Sequence, residues 1–161
     1  MIVSPNVTTT RIISSVIKGL YDELKFSRVV LIMPSQDGHL TMRLSEGLTP
    51  DSPFHLLKFQ TAQSGLLKVL MTKPQSLWVS STNFQKYDAM LPGSFKATNL
   101  SQNFFLMSLF VGKKSVGFVY CDQSNTEQNL DQHLYSEFKS CLMLTNKALA
   151  FIAQSNKPKV A

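Results

Sequence analysis

The sequence predicts an α+β domain built on a sheet with both faces covered, and three observations predict it. Phe104–Val111 and residues 116–121 are strand-length runs rich in aromatic and β-branched side chains. They are joined by Gly112-Lys113-Lys114-Ser115, with glycine where a hairpin loop often needs positive φ. Neither run alternates between apolar and polar residues, so both faces of this hairpin are expected to lie under other elements. Amphipathic helices near both chain ends, and a second hairpin that does alternate, complete the pattern.

Residues 1–8 read as a tail or linker, with Pro5 and Asn6 opposing regular structure. A helix then begins near Thr9 or Thr10, either of which can cap exposed amides. Ile12, Val16, Leu20 and Leu24 recur at helical spacing, flanked by Ile13, Ile17 and Tyr21, with Lys18, Asp22 and Glu23 on the other side. That stripe is wider than one sheet face needs, so part of it is expected to meet a partner.

Residues 27–33 form the next expected strand. It is broken at Pro34-Ser35-Gln36-Asp37-Gly38, where Asp-Gly is a strong turn signal. Residues 39–45 alternate, placing Leu40, Met42 and Leu44 on one face of a half-exposed, edge-like strand. A loop over 47–53 leads to residues 54–59, a short strand or extended segment. Ser64 can cap a helix over Gly65–Thr72 that Pro74 stops, and Ser76–Val79 reads as a short strand holding the only tryptophan, Trp78.

Residues 80–102 are the least regular, with a short helix near 83–91. A connection this long is more often a functional or lid-like loop than filler. After the central hairpin and a polar loop, a helix spans 131–153 with Leu134, Phe138, Cys141, Leu142, Thr145, Leu149 and Ile152 on one face, and residues 156–161 form a tail.

Composition narrows the function classes. A chain of 161 residues is sized for one domain, and 43% hydrophobic with 16% charged residues rules against disorder. The apolar runs are too short to span a bilayer, the first residues lack a signal-peptide pattern, and two cysteines make no disulfide framework. A reduced, cytoplasmic chain with no membrane association is expected. The net charge of +6 raises nucleic acid as a partner, but the basic residues are scattered singly rather than gathered in a stripe, so a solvated surface is expected instead.

No catalytic or cofactor motif stands out. Phosphate-cradling GxxxxGK[ST], zinc-type HExxH and the nucleophile elbow GxSxG are all missing. His39, His55 and His133 are far apart; His55 is the one weak candidate for a haem ligand. Aromatic and methionine side chains suggest a ligand pocket formed by Trp78, Phe84, Tyr87, Met90, Phe105, Met107 and Tyr120. Asn83 and Lys86 would hold a polar or anionic group. Such residues at strand spacing are more often core than pocket, and the sequence leaves open which residues of the 104–111 strand face that side.

The ordered set of elements resembles a GAF domain over roughly residues 9–155. The first helix runs through Leu24-Lys25-Phe26 into SRVVLIMPSQDGHLTMRLSEGL. SGLLKVLMTKPQSLWV then gives helix, Lys-Pro stop and strand, and NFFLMSLFVGKKSVGFVYCDQS places Gly117 and Asp122 as in GAF central hairpins. The chain is also faintly similar to the GAF-like C-terminal parts of bacterial HDOD-domain signalling proteins.

The GAF resemblance, within the wider profilin-like and PAS-related group, implies an antiparallel sheet of five to six strands. The N- and C-terminal helices would share one face, with short helices and loops on the other, where small-molecule ligands sit. It further implies non-catalytic regulatory or sensory work, often fused to another signalling domain, as a homodimer through the terminal helices. Ile13, Ile17, Tyr21, Cys141 and Leu149 are the candidate interface. The alternative is a degenerate GAF-like dimerisation or docking module without ligand. The cyclic-nucleotide motif, the cysteines of the methionine-sulfoxide-reducing branch and a bilin-bearing cysteine in the irregular region are not found, so no cofactor is assigned.

Overall fold

The structure is a computed structural model that describes residues 5–60, 65–80, 82–91, 103–123 and 130–155. These form helix α1 (Pro5–Asp22), strands β1 (Arg28–Pro34) and β2 (Leu40–Glu46), and a 3-10 turn at Pro53–Leu56. Strand β3 (Lys58–Phe59), helix α2 (Gly65–Thr72), strand β4 (Ser76–Val79) and helix α3 (Phe84–Asp88) follow. The chain closes with strands β5 (Phe104–Val111) and β6 (Lys114–Asp122) and helix α4 (Gln132–Ser155). Of the tail expected at 1–8, residues 5–8 belong to α1 instead; residues 1–4, the tail at 156–161, and residues 81 and 92–102 of the irregular stretch lie outside the described residues.

Helix α1 starts at Pro5, four or five residues before the expected cap at Thr9 or Thr10. Pro5 stands in its first turn, where a missing N–H costs no helical hydrogen bond. The helix ends at Asp22 rather than Leu24, and Lys25 adopts φ 64°, turning the chain toward β1. At the other end, Asp131 caps α4 by accepting the Leu134 N–H at 2.7 Å. Among the described residues no helix is long and apolar enough to cross a membrane.

All strand pairs are antiparallel, in the order β3-β2-β1-β6-β5-β4. The β5–β6 hairpin is interior, and its residues are almost continuously buried, as two-sided covering requires. The sheet separates two hydrophobic layers. Ile13, Ile17 and Leu20 of α1 and Phe138, Leu142 and Leu149 of α4 pack on one face against Val29, Leu31, Phe105, Leu109 and Val119. On the other, α2, the 3-10 turn and α3 form a roof over Val30, Ile32, Phe104, Leu106, Phe118 and Tyr120. Both terminal helices therefore share one face.

Two β-bulges decide details that strand periodicity misses. Leu31 pairs with Leu44 but Ile32 pairs with Met42, so β2 carries one extra residue. Leu40 and Met42 consequently face the roof while Leu44 joins the helix layer, correcting the expectation that all three share a face. Nor is β2 an edge strand: the two-residue β3 lies outside it.

The second bulge falls in the hairpin. Leu109 pairs with Gly117 but Phe110 pairs with Ser115. Asn146 of α4 repairs the disturbed ladder: its Oδ1 accepts the Phe110 N–H at 2.9 Å and its Nδ2 donates to the Ser108 carbonyl at 3.3 Å. Ser108, buried under α2, donates its hydroxyl to the Leu70 carbonyl at 2.5 Å and so ties the end of that helix to the sheet.

Candidate functional site

The alternation of β5 divides the pocket expected from sequence. Phe104 and Leu106 point to the roof, whereas Phe105 and Met107 point to the terminal helices. Trp78 pairs with Phe105, shares its face and donates its indole N–H to Asn103 Oδ1 at 2.8 Å. Trp78, Phe105 and Met107 thus lie across the sheet from Phe84, Tyr87 and Tyr120, and one cavity does not hold all six.

The remaining candidates are tied locally or exposed. Asn83 accepts the Ser80 N–H and donates to the Trp78 carbonyl. Lys86 sits over the Tyr87 ring at 5.4 Å, and Met90 is 37% exposed.

The polar centre on the roofed side is Arg28, Tyr120 and Asp122, at the end of β1 and β6 where Arg28 pairs with Asp122. The Arg28 guanidinium donates from Nε to both Asp122 oxygens at 3.2 and 3.0 Å and from a terminal nitrogen at 2.5 Å. Tyr120 donates its hydroxyl to the same carboxylate at 2.5 Å. Asp122 is fully buried, while the Arg28 side chain is 20% exposed and lies over Phe54, 5.3 Å from the ring centre.

Burial works against the Arg28 charge, but the hydrogen bond to Asp122 and the nearby Tyr120 outweigh it, so the guanidinium pKa is raised. The arrangement is a charge pair locked into an aromatic wall. Sequence reasoning picked out Tyr120 and the position of Asp122 but missed Arg28, because a lone arginine at a strand end does not announce its register. Around this pair the described roof is filled: Phe54, Phe59, Phe104, Phe118 and Tyr120 are each at most 2% exposed. Among the described residues no three His, Cys, Asp or Glu side chains gather to hold a metal ion. His55, the haem candidate, instead contacts the Thr49 carbonyl at 3.0 Å.

The second place of interest is the outer side of the terminal helices. Ile13, Ile17 and Leu149, expected at a dimer interface, are 4%, 2% and 1% exposed and belong to the core. Tyr21 is 36% exposed but lies beside Ser27 and Gly47, whereas Cys141 does reach the outer side between the helices. There Val16 and Gly19 of α1, with Leu24 just beyond its end, face Cys141 and Leu144 of α4 across a groove of about 450 Å³, and Leu144 is 65% exposed. The helical stripe was legible in sequence, but not which side of it the sheet would take.

Both cysteines lie in the terminal-helix layer, away from the roof, and neither forms a disulfide. Burial pushes the Cys121 thiol well above its ordinary pKa; burial, then Glu23 and Glu137, raises Cys141 less strongly. A raised folded-state pKa leaves stability intact below the unfolded thiol value and erodes it as pH climbs toward the folded value, so alkali, not acid, loosens this layer. Alkylation by iodoacetamide at mildly alkaline pH, followed by intact mass, should leave Cys121 unmodified and label Cys141 slowly. In denaturant both should react fully. Fast labelling of Cys121 in folded protein would contradict its burial.

No protein-family model matches the sequence, and no curated protein matches it. Solved structures do. Residues 122 to 287 of a methyl-accepting chemotaxis protein superpose with TM-score 0.71 at 17% identity, over 93% of this chain and 99% of that one. The GAF domain/HD domain protein from Geobacter sulfurreducens gives TM-score 0.65 at 15% identity, over 92% and 97%. A phycocyanobilin-bound GAF domain from a cyanobacterial phytochrome gives 0.65 at 11% identity, over 98% and 100%. The six-stranded antiparallel sheet between a terminal-helix layer and a roof is the GAF fold.

Proposed function

We propose that this chain, whose fold is that of GAF domains, is a non-catalytic regulatory module that relays a signal through α1 and α4 as a homodimer. One observation carries the reading: both terminal helices pack on the same sheet face and leave a groove open on their outer side, with Val16, Leu144 and half-buried Cys141 in it and Glu23 and Glu137 also lining it. A second copy related by a two-fold axis would set the same groove against itself and bury those side chains. Among the neighbours, the Geobacter protein joins a GAF domain to an HD domain. This chain is proposed to pass its signal to an output domain fused to it or bound by it.

The ligand-binding form of the proposal uses the roofed face around Phe84, Tyr87 and the Arg28–Asp122 pair. The packed state of the described roof favours relay without a ligand in that part. Native mass spectrometry of freshly purified protein tests both: dimer mass supports relay through the helices, and an additional retained mass supports a small-molecule sensor. Leu144→Glu should convert dimer to monomer with little change in melting temperature. Ile17→Glu should instead unfold the domain, because its side chain is core. A monomer for the unmodified chain at tens of micromolar would overturn the dimer.

A further inference from the structure

A second groove lies on the terminal-helix side of the sheet, between α4 and the β4 edge, and belongs neither to the roof nor to the dimer surface. It measures about 430 Å³. Its floor is Pro74, Met107 and Phe110, and its wall is α4, where Lys139, Met143 and Lys147 recur every fourth residue along one side. Asn146, between them, has its amide committed to the β5 backbone on both sides, which fixes the distance between helix and strand.

The chemistry of the groove is uneven in an informative way. Its middle is apolar, with Met143 53% exposed to solvent. Exposed methionine is characteristic of surfaces that take peptide side chains of varied shape. Its two ends are cationic: Lys139 and Lys147 are eight residues apart on the helix, roughly 12 Å. Neither has a carboxylate within ion-pair distance among the described residues; Lys139 instead sits 4.7 Å from the Tyr135 ring centre. Gly112, in the β5–β6 turn, closes one end.

We propose that this groove docks an acidic amphipathic peptide segment of a partner protein. Apolar side chains would fill the space over Met107, Phe110 and Met143, and two carboxylates about 12 Å apart would meet Lys139 and Lys147. A single long-chain carboxylate would satisfy one lysine and leave the other without a counter-charge, which is why a peptide fits better. The two grooves share no lining residue, and Met143 lies roughly 100° around α4 from Leu144, so the contact is read separately from dimerisation.

The test is a random-peptide display selection on the full chain, followed by fluorescence anisotropy of a recovered peptide. Recovered sequences should carry at least two acidic residues flanking apolar ones. Binding should fall on the order of tenfold for Lys139→Glu combined with Lys147→Glu, and similarly for Met143→Asp. It should weaken as salt rises, with a flatter salt dependence in the double lysine variant. These positions are at the surface, and an unchanged thermal melt checks that the variants fold. Overturning results are failure to recover any peptide, or peptides that lack acidic residues or ignore these substitutions. So is binding of oleate, sensitive to Lys147→Glu, where peptides fail. Native mass spectrometry reads the dimer separately, so failure of either idea leaves the other standing.

Discussion

Arg28→Ala should destabilise the domain by ~3–5 kcal/mol, because it leaves the carboxylate of Asp122 buried without its cation. Asp122 is fully buried, and Arg28 supplies three of its hydrogen bonds. With the arginine removed, the Tyr120 hydroxyl is the one remaining contact among those described here, and a neutral donor does not offset the desolvation of a full charge. A domain near the middle of the ordinary range of about 5–15 kcal/mol would stay folded, with a melting temperature lower by on the order of 10 °C.

Urea denaturation at neutral pH measures the loss. Arg28→Lys should recover only part of it, since an ammonium on a different stem lacks the guanidinium fork that reaches both carboxylate oxygens. Replacing both partners with apolar residues, Arg28→Met with Asp122→Leu, should cost less than Arg28→Ala alone. A loss below about 1 kcal/mol for Arg28→Ala, the range of an exposed ion pair, would show that the pair does not hold β1 to β6 as described.

Gly117→Ala should be comparably damaging for a different reason. Gly117 sits in the β6 bulge at φ 144°, a region that side-chain-bearing residues rarely enter. A Cβ there would lie 2.2 Å from the Ile32 carbonyl oxygen of β1, so the clash is with backbone and no rotamer relieves it. Either β6 shifts and strains its pairing with β1, or the bulge is lost and the register changes. Backbone strain alone costs about 1–3 kcal/mol, and displaced strand pairing adds to it. Gly112→Ala is a useful comparison: φ is 63°, but an added Cβ meets nothing within 4 Å. It should be tolerated far better. Equal losses in thermal melts of the two variants would mean that close approach to Ile32 is not what Gly117 serves.

Much of the architecture was readable residue by residue. The apolar runs of β5 and β6 and the stop at Pro74 after α2 were placed within a residue or two, because local preference and two-sided burial leave their mark in the chain itself. The candidate site was less legible. Trp78, Phe105 and Met107 read as pocket residues from their chemistry, yet one step of β alternation places them on the far face from Tyr120. Lys139, Met143 and Lys147 form a visible stripe along α4, but nothing in the chain says that Met107 and Phe110 lie opposite them.

The sequence alone determined the kinds of element, their order and that two helices and a central hairpin would be buried together, because periodicity and turn chemistry act over a few residues. Tertiary structure decided which face each strand residue took, through bulges opposite Leu31 and at Gly117. It also decided which side of each helix was left open and that Arg28 would meet Asp122. Those outcomes depend on pairing register between segments distant in the chain. A shift of one residue reverses them without changing the composition of any segment.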